Sequence, residues 1–337
     1  MQLVATHVIT MSKKSNEPTY VPPFTVSAEA INLIAEISGQ IERYAIRMEQ
    51  SDGLMLRKAN RIKTIHSSLA IEGNTLSEDE VRDIIDGKAV VAPIRQIQEV
   101  KNAIKTYEMY PTLDPFSEKD LLKAHGVMMQ ALVDDAGRYR RGGVGVFGNQ
   151  GLVHLAPPAD RVPFLMGDLF NWLKYAKDHL LIRSCVFHYE FEFIHPFADG
   201  NGRMGRMWQT LLLMQWNSIF AWIPVETIVK EHQQDYYAAI AQSDREASST
   251  SFITFMLNCL KQAVDEIRKS NQKSNQKSNQ KIIEAMKNNP KVTIRELQEV
   301  TGLSESGVKK IIRQLKADNA IQRSGSDKNG LWIVNAE

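Results

Sequence analysis

Residues 195–206 read HPFADGNGRMGR, which sets one histidine, one carboxylate, one side-chain amide, three glycines and two arginines within twelve positions. That mixture suits phosphate chemistry. Gly200 and Gly202 admit backbone angles that other residues resist, so successive N–H groups can turn into one concavity. A helix starting near Arg203 would add unpaired N–H donors and the positive end of its dipole. Arg203 and Arg206, three apart, fall on neighbouring positions of that helix and can grip phosphate oxygens bidentately. Asp199 beside an anion is repulsive unless a cation mediates, and Mg2+ shared between one carboxylate and phosphate oxygens resolves this. Asn201 offers an amide donor to a phosphate oxygen. His195 is the group here that can take a proton near neutral pH.

A second stretch, SSLAIEGN at 67–74, places Ser68 and Glu72 four apart, on one helix face. Gly73 then serves as the left-handed residue that stops the helix. A glutamate in the last helical turn opposes the dipole, so Glu72 calls for a cationic partner elsewhere in the chain.

The elements that must position these groups are mostly helical by period. Apolar residues recur near a 3.6 spacing over 28–48 and 54–71. Ser77 and Glu80 form a capping box ahead of Val81, Ile84 and Ile85. Further helices are read at 97–110, 117–132, 163–175, 180–193, 204–216, 235–243 and 251–267. The apolar run 191–194 leads directly into the glycine-rich segment, so a buried helix delivers it. The exception is 137–158, with glycine at 137, 142, 143, 145, 148 and 151 and apolar residues on either side of GNQG. This predicts a β-hairpin, which has little stability alone and must lie on a helical surface as a flap.

The chain has 337 residues and a formal net charge of +2, so bulk charge argues neither for nor against a nucleic-acid partner. Two cysteines, Cys185 and Cys259, are too few and too far apart for a disulfide framework or zinc cluster, which fits a reducing compartment. No segment nears the roughly 18 apolar residues that span a bilayer. The opening MQLVATHVITM carries no basic leader, so the sequence predicts a cytoplasmic protein with no membrane partner. KSNQKSNQKSNQ at 269–280 has nothing apolar to bury, leaving a linker or a fully solvated helix extension. Beyond it, a short helix at 281–286 precedes two more. The first opens on a Thr293–Glu296 capping box and closes at Gly302, and the second is capped by Ser304. Two short strands around a polar turn complete the order of a winged helix-turn-helix. Lys309, Lys310 and Arg313 on its third helix suit phosphates, or serve as ordinary solvated residues beside a core of Val308, Ile311, Ile312 and Leu315.

HPFADGNGRMGR closely resembles the signature of the Fic (Fic/Doc) proteins, H-P-F-x-[DE]-G-N-G-R-x-x-R, at every specified position. SSLAIEGN is similar to the family's inhibitory motif, [ST]-x-x-x-E-[GN]. The resemblance implies a mostly α fold, with a Fic-type helical core, a β-hairpin flap and a small C-terminal winged helix-turn-helix. It divides the chain into an N-terminal helical region with the inhibitory helix (1–110), a catalytic core (111–268), the KSNQ-repeat linker (269–280) and the winged helix (281–337). TYVPPFTV at 19–26 resembles the region that accompanies Fic cores in bacterial proteins of this architecture.

The implied activity is a protein adenylyltransferase, which moves AMP from ATP to a Tyr, Thr or Ser hydroxyl of a target protein or of itself. On that resemblance His195 is the general base and Asp199 the Mg2+ ligand. Asn201 with the backbone of Gly200, Gly202 and Gly205 forms the hole for the α- and β-phosphates, and Arg203 and Arg206 form the clamp. Arg206 favours adenylylation over the γ-phosphate transfer of the Doc branch, which typically replaces it. Leu152, Val153, His154 and Leu155 resemble the flap residues that align a target segment by strand addition. Tyr236 and Tyr237, with Asp244 beyond them, resemble the region that holds adenine and ribose, although helix packing accounts equally well for one of the tyrosines. Ser68, Glu72 and Gly73 resemble the brake, in which Glu72 pairs with Arg206 and blocks the γ-phosphate. DNA through the winged helix and a second copy in a homodimer stand as open partners. Two other functions stay open: a nucleotide-sensing DNA-binding regulator with a low-activity core, and removal of AMP at the same site. A phosphate cradle does not read the base, so the nucleotide donor is also open.

Overall fold

The computed structural model describes residues 18, 20–48, 53–148, 151–325 and 330–335, less the side chains of 43–48, 53–56, 145–148, 151–155, 268 and 270–275. Five helices come first: α1 (Ala28–Met48), α2 (Gly53–Ile71), α3 (Glu78–Ile85), α4 (Ile94–Glu108) and α5 (Glu118–Met128). A hairpin follows, β1 (Gly145–Gly148) and β2 (Gly151–Leu155). The body continues with α6 (Val162–Tyr175), α7 (Leu180–Ile194), α8 (Asn201–Trp216), α9 (Val225–Glu231), α10 (Gln233–Glu246) and α11 (Thr250–Asn288). The tail holds α12 (Ile294–Thr301), α13 (Glu305–Ala317), β3 (Ile321–Ser324) and β4 (Leu331–Val334). The protein is thus mostly helical, with one hairpin on its body and a winged helix-turn-helix at its end.

The body is organised around α7 and α8. Twelve of the fifteen residues of α7 are buried, as are twelve of the sixteen of α8. A helix buried on every side belongs to the centre of a large core. Leu181, Val186, Phe187 and Phe191 of α7 pack with Met204, Met207, Trp208 and Leu211 of α8 in one apolar cluster drawn from 30–267. The six residues between these helices, 195–200, are therefore anchored at both ends by the best-packed part of the molecule.

The hairpin pairs antiparallel, Gly145 with Leu155 and Gly148 with Gly151, and its register shifts between Val146 and Phe147. The tip of the expected turn, 149–150, lies outside the described residues, as do the side chains expected to align a target, Leu152, Val153, His154 and Leu155.

Two readings of the sequence change. Residues 225–231 form a helix that periodicity over so short a span does not disclose. The helix expected at 281–286 is the end of α11, which runs unbroken for 39 residues through the KSNQ repeats. The repeats contain no glycine or proline to stop a helix, and Lys and Gln sustain one well. Both ends are fixed by apolar contacts, Phe252 to Ile267 in the large cluster and Ile282 and Met286 in a second one. That second cluster also holds Val292, Leu297, Val308, Ile312, Leu315, Ile321 and Trp332, the core of the winged helix.

The segment before α1 straps α7 to the start of α11. Ser249 N–H donates to the Pro23 carbonyl at 2.9 Å, Thr25 N–H donates to Thr250 Oγ1 at 2.9 Å, and Phe24 meets Trp172 edge-on. Tyr20 donates its hydroxyl to Glu190 Oε2 at 3.3 Å. Burial pushes the Glu190 carboxyl up to about 7, with Tyr20 opposing the shift and Asp244 adding to it. The folded carboxyl then holds its proton to higher pH than the unfolded one, whose value is near 4.5. Its contribution to stability is full below about pH 4.5 and is lost as pH rises through 7. Thermal denaturation across pH 4.5–8 is expected to show Glu190→Gln falling less steeply with pH than the parent. Parallel curves would refute this assignment.

Candidate active site

The loop between α7 and α8 begins with strain. His195 caps α7 in the left-handed region, at φ 50 and ψ 61, where a residue with a Cβ is disfavoured. Arg140 secures that turn. The guanidinium, only 3 % exposed, donates from Nε to the His195 carbonyl at 2.7 Å and from Nη2 to the Ile194 carbonyl at 3.3 Å. Its remaining bonds go to the carbonyls of Gly142 and Pro157, at the two feet of the hairpin, and Arg140 N–H donates to the Pro196 carbonyl. One cation thus ties the loop between α7 and α8 to the hairpin.

Nδ1 of His195 lies 3.3 Å from the Glu192 carbonyl. A carbonyl only accepts, so Nδ1 carries the hydrogen and Nε2 carries the lone pair that can receive a proton.

His125 of α5 supports the other half of the loop. Its ring stacks on Phe197, centroids 3.6 Å apart and planes 4° from parallel. Nδ1 accepts from Gly137 N–H at 2.9 Å, so Nε2 bears the hydrogen and donates to the Asp199 carbonyl at 3.0 Å. Burial lowers this histidine to about 4, keeping it neutral and the tautomer fixed. Gly200, at φ +87, is needed for the turn itself, and a Cβ there would lie 2.7 Å from Met129 Sδ.

Asn201 takes a different part from the one expected. It accepts from Phe197 N–H and donates to the Phe197 carbonyl, each at 2.9 Å, and is 2 % exposed. Its amide is spent closing the loop, so the donors facing an anion must be backbone groups instead. Helix α8 starts at Asn201, earlier than expected, and no side chain caps it. Its first-turn N–H groups are therefore open to an anion.

Each charged side chain of the loop has an opposite neighbour. Asp199 Oδ1 accepts from Arg203 Nη2 at 2.9 Å and from Gly200 N–H at 2.6 Å, while Oδ2 faces Arg95 Nη2 at 3.4 Å. No group of three His, Cys, Asp or Glu side chains able to hold a metal occurs among the described residues. The half-exposed Asp199 carboxylate still fits Mg2+, which binds readily through one carboxylate when phosphates and water complete its shell.

Ser68, Glu72 and Arg206 come together. Arg206 is 3 % exposed and donates to Glu72 Oε1 at 2.7 Å, to the Ser68 carbonyl at 3.0 Å and to Ser68 Oγ at 3.2 Å. Burial opposes its charge, but the neighbouring Glu72 carboxylate prevails and holds it above the ordinary arginine range. The end of α2 delivers Glu72. Gly73, at φ +89, donates to the Ala70 carbonyl and Asn74 N–H to the Leu69 carbonyl, the paired bonds of a Schellman stop. Asn74 then reaches Glu99 Oε2 at 2.8 Å and the Gln96 carbonyl, fixing the turn to α4. The Glu72 carboxylate lies over the first turn of α8, close enough that a Cβ on Gly202 would overlap Oε1 and sit 2.9 Å from Arg206 Nη1.

Gly205 stands where α7 and α8 approach. A Cβ there would meet Glu192 Oε1 at 2.8 Å and the His188 ring, so this glycine allows α7 and α8 to approach. Tyr236 is likewise a packing residue. Its hydroxyl donates to His188 Nε2 at 3.1 Å, and His188 Nδ1 donates to Gln209 Oε1 at 2.7 Å. Tyr237 remains 36 % exposed beside it and stands in the field of Glu72, Arg206 and Glu192. Asp244 accepts from the Tyr189 hydroxyl at 2.8 Å, a bond internal to the core.

Sequence reasoning missed Arg140 and His125. For His125 a signal exists, a histidine four residues after Leu121 on an apolar helix face. For Arg140, one basic residue within GRYRRGG, there is none.

Known proteins fit this geometry. Residues 115–213 match the model of the Fic/DOC family, and 276–322 match a winged helix-turn-helix DNA-binding model. The crystal structure of a Fic family protein from Desulfovibrio desulfuricans G20 is 43% identical, with a TM-score of 0.73, over 94% of this chain and 99% of that one. Protein adenylyltransferase Fic of Aedes aegypti is 29% identical over 240 residues, 66% of this chain and 46% of that protein. The protein of the same name from Culex quinquefasciatus is 32% identical over 217 residues, 60% and 41% respectively. The chain thus spans less than half the length of these curated relatives.

Arg140→Ala would leave four backbone carbonyls without their donor. Urea denaturation is expected to show a loss on the order of 3 kcal/mol. A loss under about 0.5 kcal/mol, the usual range of a surface change, would contradict the anchoring role.

Proposed function

The chain belongs to the Fic family, and on that premise we propose that it is a protein adenylyltransferase held inactive by Glu72. The observation that carries this reading is the Glu72–Arg206 pair, because it fills with a carboxylate the place where an uncapped helix start would take phosphate. ATP is the proposed donor and Mg2+ the metal, held by Asp199 and neutralising phosphate charge when bound. In the transfer, the hydroxyl oxygen of a target Tyr, Thr or Ser forms a bond to the α-phosphorus as its proton passes to His195 Nε2. The bond from the α-phosphorus to the bridging oxygen breaks, and pyrophosphate leaves. The chain contributes position and charge, as expected of phosphoryl chemistry: backbone N–H groups and Arg203 at the phosphates, and Arg206 at the γ-phosphate once it is released. The hairpin, tied to the loop through Arg140, supports alignment of the target segment by strand addition.

The winged helix supports a second partner. Lys310 and Arg313 are exposed on α13, while Lys309 pairs with Glu305 at 2.5 Å. We propose duplex DNA as the partner of this face. In gel shifts with genomic fragments, Lys310→Ala with Arg313→Ala should weaken binding similarly for all sequences and reduce the salt slope by about two. No shift with the parent protein would reject DNA as the partner.

Labelled ATP tests the transferase reading. Glu72→Gly is expected to raise label incorporation about tenfold or more, a barrier change of roughly 1.4 kcal/mol. Adding His195→Ala should then lower the rate by about 10²–10⁴. Gly202→Ala, whose Cβ would displace Glu72 from the helix start, should also raise incorporation while both charged residues are kept. Equal incorporation by parent and Glu72→Gly would reject the brake.

A further inference from the structure

Arg206 also borders a cavity of about 10 Å3, room for a single water molecule. Gln209 and Thr210 of α8 form one side, Glu226 of α9 the other, and Met256 of α11 closes it. Glu226 is 2 % exposed, and its carboxylate oxygens meet only loose donors, none in the geometry of a close hydrogen bond within the described residues. A buried acid left so costs stability that an apolar residue would not. Nothing in the brake or the transfer uses it.

We propose that Glu226 is a positioning residue for Arg206, taking over as carboxylate partner of the guanidinium across this cavity once Glu72 lets go. The inference rests on the reading of Arg206 as a phosphate clamp. A guanidinium does not lose its charge, so removing Glu72 leaves a cation in the core with its main counter-charge gone. Glu226 supplies a replacement on the α9 side of the same group, and Arg206 stays at the helix start instead of swinging to solvent.

The groups around Glu226 fit a carboxyl that changes its charge state as its neighbour changes partner. Burial pushes it up to about 7, while its own backbone N–H, then the charge of Arg206 from α8 and the hydroxyls of Thr64 from α2 and Tyr107 from α4, pull it down. Tyr110, in the turn after α4, also faces it, and Arg61 of α2 stands beyond that tyrosine. With Glu72 paired to Arg206, the pull of the guanidinium is shared. Without Glu72 its negative charge no longer offsets that pull, and Glu226 ionises at lower pH.

The test uses the full chain. Carbon-13 NMR of the Glu226 side-chain carboxyl, assigned by its loss in Glu226→Gln, is followed across pH in the parent and in Glu72→Gly. The midpoint is expected about one pH unit lower in Glu72→Gly, and an unchanged midpoint overturns the proposal. Calorimetry with ATP and Mg2+ at pH 8 gives the second measurement. Adding Glu226→Gln to Glu72→Gly should weaken ATP binding about tenfold, as should adding Arg206→Ala. Loss with Arg206→Ala but not with Glu226→Gln overturns the inference alone. Loss with neither overturns the clamp reading, and this inference with it. If Glu226→Gln does not fold, the carboxyl titration in Glu72→Gly still decides, assigned by Glu226→Asp.

Discussion

A guanidinium in the core must have its charge answered, and much of this molecule is arranged around that requirement at Arg206. The residue stands on a helix with no exposed face, so its position is fixed by Met204, Met207 and Trp208 packing against α7. Its donors are met by Ser68 and Glu72, from a helix more than 130 residues earlier in the chain. That helix end is held by Gly73, by Asn74 reaching α4, and by Ser67 Oγ against Thr227 Oγ1 of α9, 3.2 Å apart. The N-terminal helices and the start of α8 therefore share one electrostatic joint. An ion pair of this kind contributes little net stability after desolvation but is costly to break on one side only. Such a pair is suited to the switch proposed above, because neither charge can be left alone in the core.

The loop beside it is rigid for a different reason. His195 and Gly200 both sit at positive φ, and contacts from outside the loop add to the bonds within it. Arg140 does so from the hairpin side and His125 from α5, one charged and one kept neutral by burial. Both act on backbone carbonyls, so the geometry of the proposed phosphate site depends on residues that contribute no group to it.

The sequence made some of this legible and hid the rest. The glycines, arginines and acids of HPFADGNGRMGR are dense enough that their types alone indicate phosphate chemistry. The spacing of Ser68, Glu72 and Gly73 foretells a helix end that needs a cation. What a linear reading misses is how a polar group is spent. Asn201 and Tyr236 look available because an amide and a phenol can serve ligands, yet each makes hydrogen bonds inside the fold. Gly205 looks like part of a flexible loop but is a close contact between two helices. Arg140 and Glu226 carry no local pattern, since their meaning comes from partners far away in sequence. The KSNQ repeat leaves both a linker and a solvated helix open in sequence, and the helix forms because nothing in it can end one.

That last feature has a geometric consequence. A continuous helix advances about 1.5 Å and turns about 100° per residue. One tetrapeptide more or less in α11 would move the winged helix about 6 Å along the axis and rotate it by about 40° relative to the body. The number of repeats is therefore a setting of phase as well as length. It determines which direction the α13 face presents when the body is fixed, much as the thread of a screw sets the angle of its head.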